Sequence, residues 1–69
     1  MSDRLLNSLK AERERLGWTQ AALAERVGVS RKTINTVENG VFVPSTLLAL
    51  KLASALGRPV EALFRLATD

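Results

Sequence analysis

The 69 residues predict an all-α fold built from five short helices. Three observations point there. Glycine stands wherever a helical pattern stops, at Gly17, Gly28, Gly40 and Gly57. A hydroxyl residue precedes three of the patterns, at Thr19, Ser30 and Ser45, where its oxygen can accept a bond from a backbone amide that has no partner inside the helix. Between these marks the apolar residues recur three and four apart, and the strict alternation of a hairpin is absent from residues 19–40.

The first helix is expected from Asn7 or Ser8 to Leu16, with Leu6, Leu9 and Leu16 as its apolar stripe and Gly17 as its left-handed stop. Arg13 falls on that stripe. A charge among leucines is costly unless it is paired, so the position demands an acid from elsewhere in the chain. Trp18 then precedes the Thr19 cap, and Leu23 occupies the fourth helical position. That is the spacing of a hydrophobic staple, and Trp18 reads as a core anchor rather than a platform for a stacked base. Leu23, Ala24 and Val27 face inward, and Gly28 ends the second helix.

The staple recurs at the third helix, where Val29 precedes the Ser30 cap and Ile34 holds the fourth position. Ile34 and Val37 share one side; Arg31, Lys32, Thr33, Asn35 and Thr36 fall away from it. A helix this short does not stand alone in water. A neighbour must hold it while its polar side stays free. Glu38 lies at the edge of the buried side and is the candidate partner for Arg13. Gly40 is the stop.

Pro44 and Ser45 open the fourth helix, with Leu48, Ala49, Leu52, Ala53 and Leu56 as its inner stripe and Gly57 as its end. Leu47 and Leu50 fall outside the stripe. Pro59 suits the first turn of a fifth helix carrying Val60, Leu63 and Phe64. Residues 65–68 are too few to assign: they either fray or pair as a strand with residues near Arg4.

Composition limits the function. The chain has no cysteine and no histidine, which removes disulfides, thiolate zinc sites, and the commonest metal ligand and general base. Its acids are dispersed and its glycines sit at helix ends rather than in a phosphate loop, so neither an enzyme nor a bound cofactor or metal is expected. Five short helices leave no second domain for a small-molecule pocket. The net charge is +3, and Arg26, Arg31 and Lys32 lie in a stretch, residues 26–37, that contains no acid. No apolar run approaches the ~18 residues of a membrane span, and the opening MSDRLLN lacks a signal-peptide pattern. The expectation is a cytoplasmic protein with no membrane partner. A chain of this size buries only ~60% of its unfolded surface, so a partner subunit would help it.

Thr19-Gln20, Leu23-Ala24, Val27-Gly28-Val29-Ser30, Ile34 and Glu38-Asn39-Gly40 together resemble the helix-turn-helix domain of phage Cro and repressor proteins, the Xre-like regulators. The resemblance continues through Pro44-Ser45, Leu52-Ala53, Ala55-Leu56-Gly57 and residues 60–64, and is nearest the very short, single-domain dimeric repressors. It implies a compact five-helix, repressor-like DNA-binding domain over residues 1–69, with the helix-turn-helix at the second and third helices and the recognition helix at about 30–38. The DNA-binding set it implies is Thr19, Gln20, Ser30, Arg31, Lys32, Thr33, Asn35, Thr36 and Asn39. Gln20 would bond a phosphate and brace the recognition helix. Arg31, Lys32, Thr33 and Thr36 would reach base edges, with Lys32 open to either a base or a phosphate, and Asn35 and Asn39 would lie near the DNA backbone. Arg13 and Glu38 match the family's structural ion pair.

Three positions depart from the family pattern. Ala22 stands where many relatives carry an acid, so the capping box after Thr19 is incomplete. Val41 replaces a frequently basic residue, which removes one phosphate contact. Phe42 and Val43 make the same loop apolar, as though it packed on the fourth helix.

The function implied is that of a sequence-specific regulator of transcription in a bacterium or phage, working at the nucleoid. It would be a homodimeric repressor on a palindromic double-stranded operator. The alternative is an antitoxin, or a restriction–modification controller, that binds its own operator and a partner protein. Dimerisation is expected through the tail, residues 63–69, centred on Leu63, Phe64 and Leu66, although these residues and Leu47 and Leu50 could instead complete the core.

Overall fold

Five helices lie between two short strands that pair the ends of the chain. In the computed structural model, residues 4–67 are described. The order is β1 (Leu5–Asn7), α1 (Leu9–Arg15), α2 (Gln20–Val27), α3 (Arg31–Glu38), α4 (Thr46–Leu56), α5 (Val60–Leu63) and β2 (Phe64–Leu66). The two strands run antiparallel, with Leu5 opposite Leu66, Leu6 opposite Arg65 and Asn7 opposite Phe64. Of the two fates open to the tail, it takes the strand. Thr68 and Asp69, part of the expected tail contact, lie outside the described residues.

The pairing alters two sequence expectations. Leu6 belongs to β1 rather than to the stripe of α1, and Phe64 belongs to β2 rather than to α5, which is four residues long. The cause is shared. At Phe64 the backbone turns extended (φ −129°, ψ 138°), because β1 offers it a ladder of hydrogen bonds that another helical turn would forfeit. Ser8 stands at the start of α1, as expected, but its hydroxyl makes no cap bond and accepts from Arg65 Nη1 at 3.2 Å. The first free amide of α1, that of Leu9, instead donates to Oδ1 of Asn7 at 3.1 Å.

The other caps behave as hydroxyl caps do. The side chains of Thr19, Ser30 and Ser45 accept from the amides of Ala22, Thr33 and Leu48. At the turn between α2 and α3, Gly28 adopts φ 76°. This left-handed residue lets the amides of Gly28 and Val29 both donate to the carbonyl of Ala24, at 2.9 and 3.0 Å. A β-carbon there would strain the backbone and open the angle between the two helices.

The core draws on every helix. Leu9, Leu23, Ile34, Leu52 and Leu63 are fully buried, with Val37 and Leu56 beside them. Trp18 and Val29, the outer halves of the two staples, pack against this cluster half-buried. The loop after α3 follows its expected packing only in part. Phe42 shares a depression with Leu47 and Leu48 of α4, yet Val41, Phe42 and Val43 all remain exposed.

A surface ion cluster ties α1 to the turn before α5. Glu12 Oε1 accepts from Arg15 Nε at 2.7 Å and from Arg58 Nε at 3.0 Å. These bonds, Arg15's first, hold the Glu12 carboxyl below its ordinary value. A carboxyl lowered in the folded state contributes stability that is present above its unfolded value and is lost as pH falls through the folded one. Wild type should therefore melt slightly above Glu12→Gln at neutral pH, and the difference should vanish as pH drops below 4.5. A gap between the melting curves that is independent of pH would remove the cluster from this role.

Candidate nucleic-acid interface

α3 leaves its outer side without a neighbour, and four fixings hold it in place. Ile34 and Val37 sink into the core at 0% and 1% exposure. Ser30 caps the start, where its hydroxyl also lies 3.0 Å from that of Thr33. At the other end the amides of Val41 and Phe42 donate to the carbonyl of Thr36, and Asn7 Nδ2 of β1 donates to the carbonyl of Val37 at 3.0 Å.

The fourth fixing is ionic. Arg13 of α1 grips Glu38 of α3 with two bonds, Nε to Oε2 at 2.7 Å and Nη2 to Oε1 at 3.2 Å. Both side chains are enclosed, at 9% and 2% exposure. The hydrogen bonds to Glu38 hold the Arg13 guanidinium above its ordinary pKa, against the opposing effect of burial. Two further contacts complete the cluster: Arg13 Nη1 donates to the carbonyl of Trp18 at 2.7 Å, and Gln20 Nε2 donates to Glu38 Oε1 at 3.0 Å. The base of α3, the junction of α1 with α2, and the first residue of α2 are thus one hydrogen-bonded unit.

On the outer side Arg31, Lys32 and Asn39 are exposed, and Thr33, Asn35 and Thr36 are half-exposed. Arg31 and Lys32 have no partner among the described residues. The shorter polar groups are arranged by local bonds. Thr36 Oγ1 donates to the carbonyl of Thr33 at 3.0 Å, and Asn39 Nδ2 donates to Asn35 Oδ1 at 3.2 Å. Thr19 and Gln20 stand at the start of α2, Thr19 exposed as its cap and Gln20 half-buried against Glu38.

Three features of this region are not evident in the residue pattern. Arg26, counted in the acid-free basic stretch, has its guanidinium 4.0 Å from the centre of the Trp18 ring, so its charge is stacked on the domain rather than left open. The bonds from Gln20 to Glu38 and from Asn7 to Val37 each join residues remote in sequence, and no local signal marks them. The expected subunit contact also changes character. Leu63 is fully buried and Phe64 is 9% exposed, both within the core of one chain, because β2 folds its first side chain inward. Only Leu66, at 70%, lies on the surface.

Two helices angled across a glycine turn, the second held from behind and basic and amide-bearing in front, define a helix-turn-helix DNA-binding protein. Residues 9–63 match the helix-turn-helix family model, and the chain belongs to the Xre/Cro-like family of helix-turn-helix transcriptional regulators, which are not enzymes. It is 48% identical over 62 residues to an uncharacterised HTH-type transcriptional regulator of Methanothermobacter thermautotrophicus, covering 88% of this chain and 90% of that one. It is 45% identical over 58 residues to the uncharacterised HTH-type regulator YgzD of Bacillus subtilis, covering 84% and 88%. Among solved structures it resembles the restriction-modification controller protein C.AhdI of Aeromonas hydrophila, with a TM-score of 0.75 and 33% identity over 78% of this chain and 82% of that one. No helix among the described residues is long and apolar enough to cross a membrane.

Proposed function

We propose that this regulator is a homodimeric repressor, its 69 residues acting as one domain, that reads a palindromic double-stranded operator by laying α3 in the major groove. The observation that carries the reading is the seat of α3: an eight-residue helix locked on its inner side, with two unpartnered cations opening its outer one. A rigid helix bearing free donors is what base-edge readout requires. Arg31 offers the forked pair of donors that matches O6 and N7 of guanine. Lys32 reaches a base or a phosphate, and Thr33 and Thr36 meet thymine methyls or phosphates. Thr19, Gln20, Ser30, Asn35 and Asn39 flank this row and suit the sugar-phosphate backbone, which positions the protein without specifying sequence. The work is done in the cytoplasm, where the DNA is.

The test is to sequence the duplexes that the purified protein selects from a random pool. A palindromic consensus is expected, and a pool that stays random would sink the reading. On the selected site, Arg31→Ala should cost ~1–3 kcal/mol and relax preference at one base position. Unchanged affinity together with unchanged preference would remove Arg31 from the reading set.

The likeness to a restriction-modification controller favours a second reading, in which the operator lies beside the genes of such a system. Mapping the selected sequence onto the source genome separates the two.

A further inference from the structure

Two exposed apolar side chains stand beside the outer side of α3. Val41 is 77% exposed and Phe42 47%. With Ser30, Lys32, Thr33 and Thr36 they line one open depression of about 330 Å³. Those four polar residues belong to the row proposed to meet DNA, so the depression is continuous with that surface. The loop is held against it from behind, because the amides of Val41 and Phe42 both donate to the carbonyl of Thr36, at 2.9 and 3.2 Å.

The same bonds limit what the depression can hold. A phosphate calls for donors, and most of the donors here are engaged. The amides of Val41 and Phe42 are committed to Thr36, and their side chains carry no polar atom. A threonine hydroxyl has one hydrogen to give, and Thr36 gives it to the carbonyl of Thr33. Ser30 and Thr33 share a further hydroxyl bond at 3.0 Å. Lys32 supplies the one charge among the six. The apolar side is left to an apolar group, and the major groove offers the C5 methyl of thymine. A partner protein fits the place poorly. It would have to sit on Lys32, Thr33 and Thr36 and so keep a duplex off α3.

We propose that Val41 and Phe42 form the seat of a thymine methyl and set a preference for thymine at one position of the bound sequence, repeated in each half of a palindrome. Phe42 is the principal contact. The inference rests on the proposal that α3 reads the major groove, and it adds a specificity element outside that helix. Arg31 and Lys32, at the start of α3, suit the acceptor edge of guanine. The loop beyond its end brings the chemistry that the helix lacks.

The test removes the methyl from the DNA. Deoxyuridine pairs as thymidine does but has no C5 methyl. Each thymine of the selected duplex is replaced in turn, and binding is followed by the fluorescence anisotropy of labelled DNA. Wild type should lose about four-fold in affinity per half-site at one position, the worth of one buried methyl group, and little elsewhere. Phe42→Ala should bind the thymine duplex more weakly and no longer distinguish it from the uracil duplex. Arg31→Ala should keep the four-fold difference. Val41→Asn, at a side chain 77% exposed, should narrow that difference and supplies a second variant if Phe42→Ala folds poorly.

A folded Phe42→Ala that keeps the whole difference would overturn the assignment, since the methyl would then be read by the threonines and Phe42 would only support the loop. An undiminished difference in Val41→Asn would overturn the shared seat. A wild type indifferent to uracil at every thymine, or a selected site without thymine, would overturn it as well. In each of these cases a consensus has been selected, so DNA reading by α3 stands. A pool that stays random would sink that reading and this one together.

Discussion

Arg13→Ala and Glu38→Ala are each expected to cost ~3–5 kcal/mol of folding stability, because removing one partner of an enclosed ion pair strands the other without water. The exposures of 9% and 2% place this pair at the buried end of that range. The loss is a large share of the whole, since a domain of this size holds only ~3–10 kcal/mol in total. Glu38→Ala should be the worse of the two, as it also deprives Gln20 of its acceptor. Arg13→Ala leaves the carbonyl of Trp18 without its side-chain donor. The double variant should recover part of the loss, and the shortfall from additivity measures the coupling. Urea titrations of the four proteins decide the matter. Small, additive effects would mean that the pair merely accompanies the fold.

Phe64→Asp is expected to abolish folding rather than to release a folded monomer. Phe64 is 9% exposed and faces Asn7 across the strand pair. Removing a buried phenyl ring costs ~3–5 kcal/mol by itself. The carboxylate must also give up water beside the core cluster, a further penalty. Leu66→Asp, two residues on and 70% exposed, should fold as wild type does. Dichroism spectra of the two variants, side by side, test the placement. A folded Phe64→Asp would mean that the ring lies at the surface after all.

What could be read from the residues and what could not divides along one physical line. The caps at Thr19, Ser30 and Ser45 and the stops at Gly28 and Gly57 depend on groups within four residues of each other, and such patterns are written locally. The inner stripes of α2 and α4 are legible for the same reason. Arg13 and Glu38 lie twenty-five apart, yet a charge among leucines is conspicuous enough to demand an acid. The strands are a different matter. Leu6 and Phe64 each carry helical spacing, and only the presence of the other end of the chain makes the extended form better. The same pairing turns Phe64 inward, so the residues expected in the tail contact divide between the core, Leu63 and Phe64, and the surface, Leu66. In the site, α3 was legible through its cap and its polar row. The bonds of Gln20 and Asn7 and the stacking of Arg26 were not, because each depends on a packing angle.

That stacking has a spectroscopic use. Trp18 is the one tryptophan of the chain, and there is no tyrosine. Its indole therefore supplies essentially all of the intrinsic emission, with no neighbouring donor to disentangle. The ring is half-buried against the core, the Arg26 guanidinium lies over one face, and its own carbonyl holds Arg13. The chromophore thus sits on the joint that seats α3. Its emission reports on that joint directly, and the loosening of α3 can be followed in unlabelled protein.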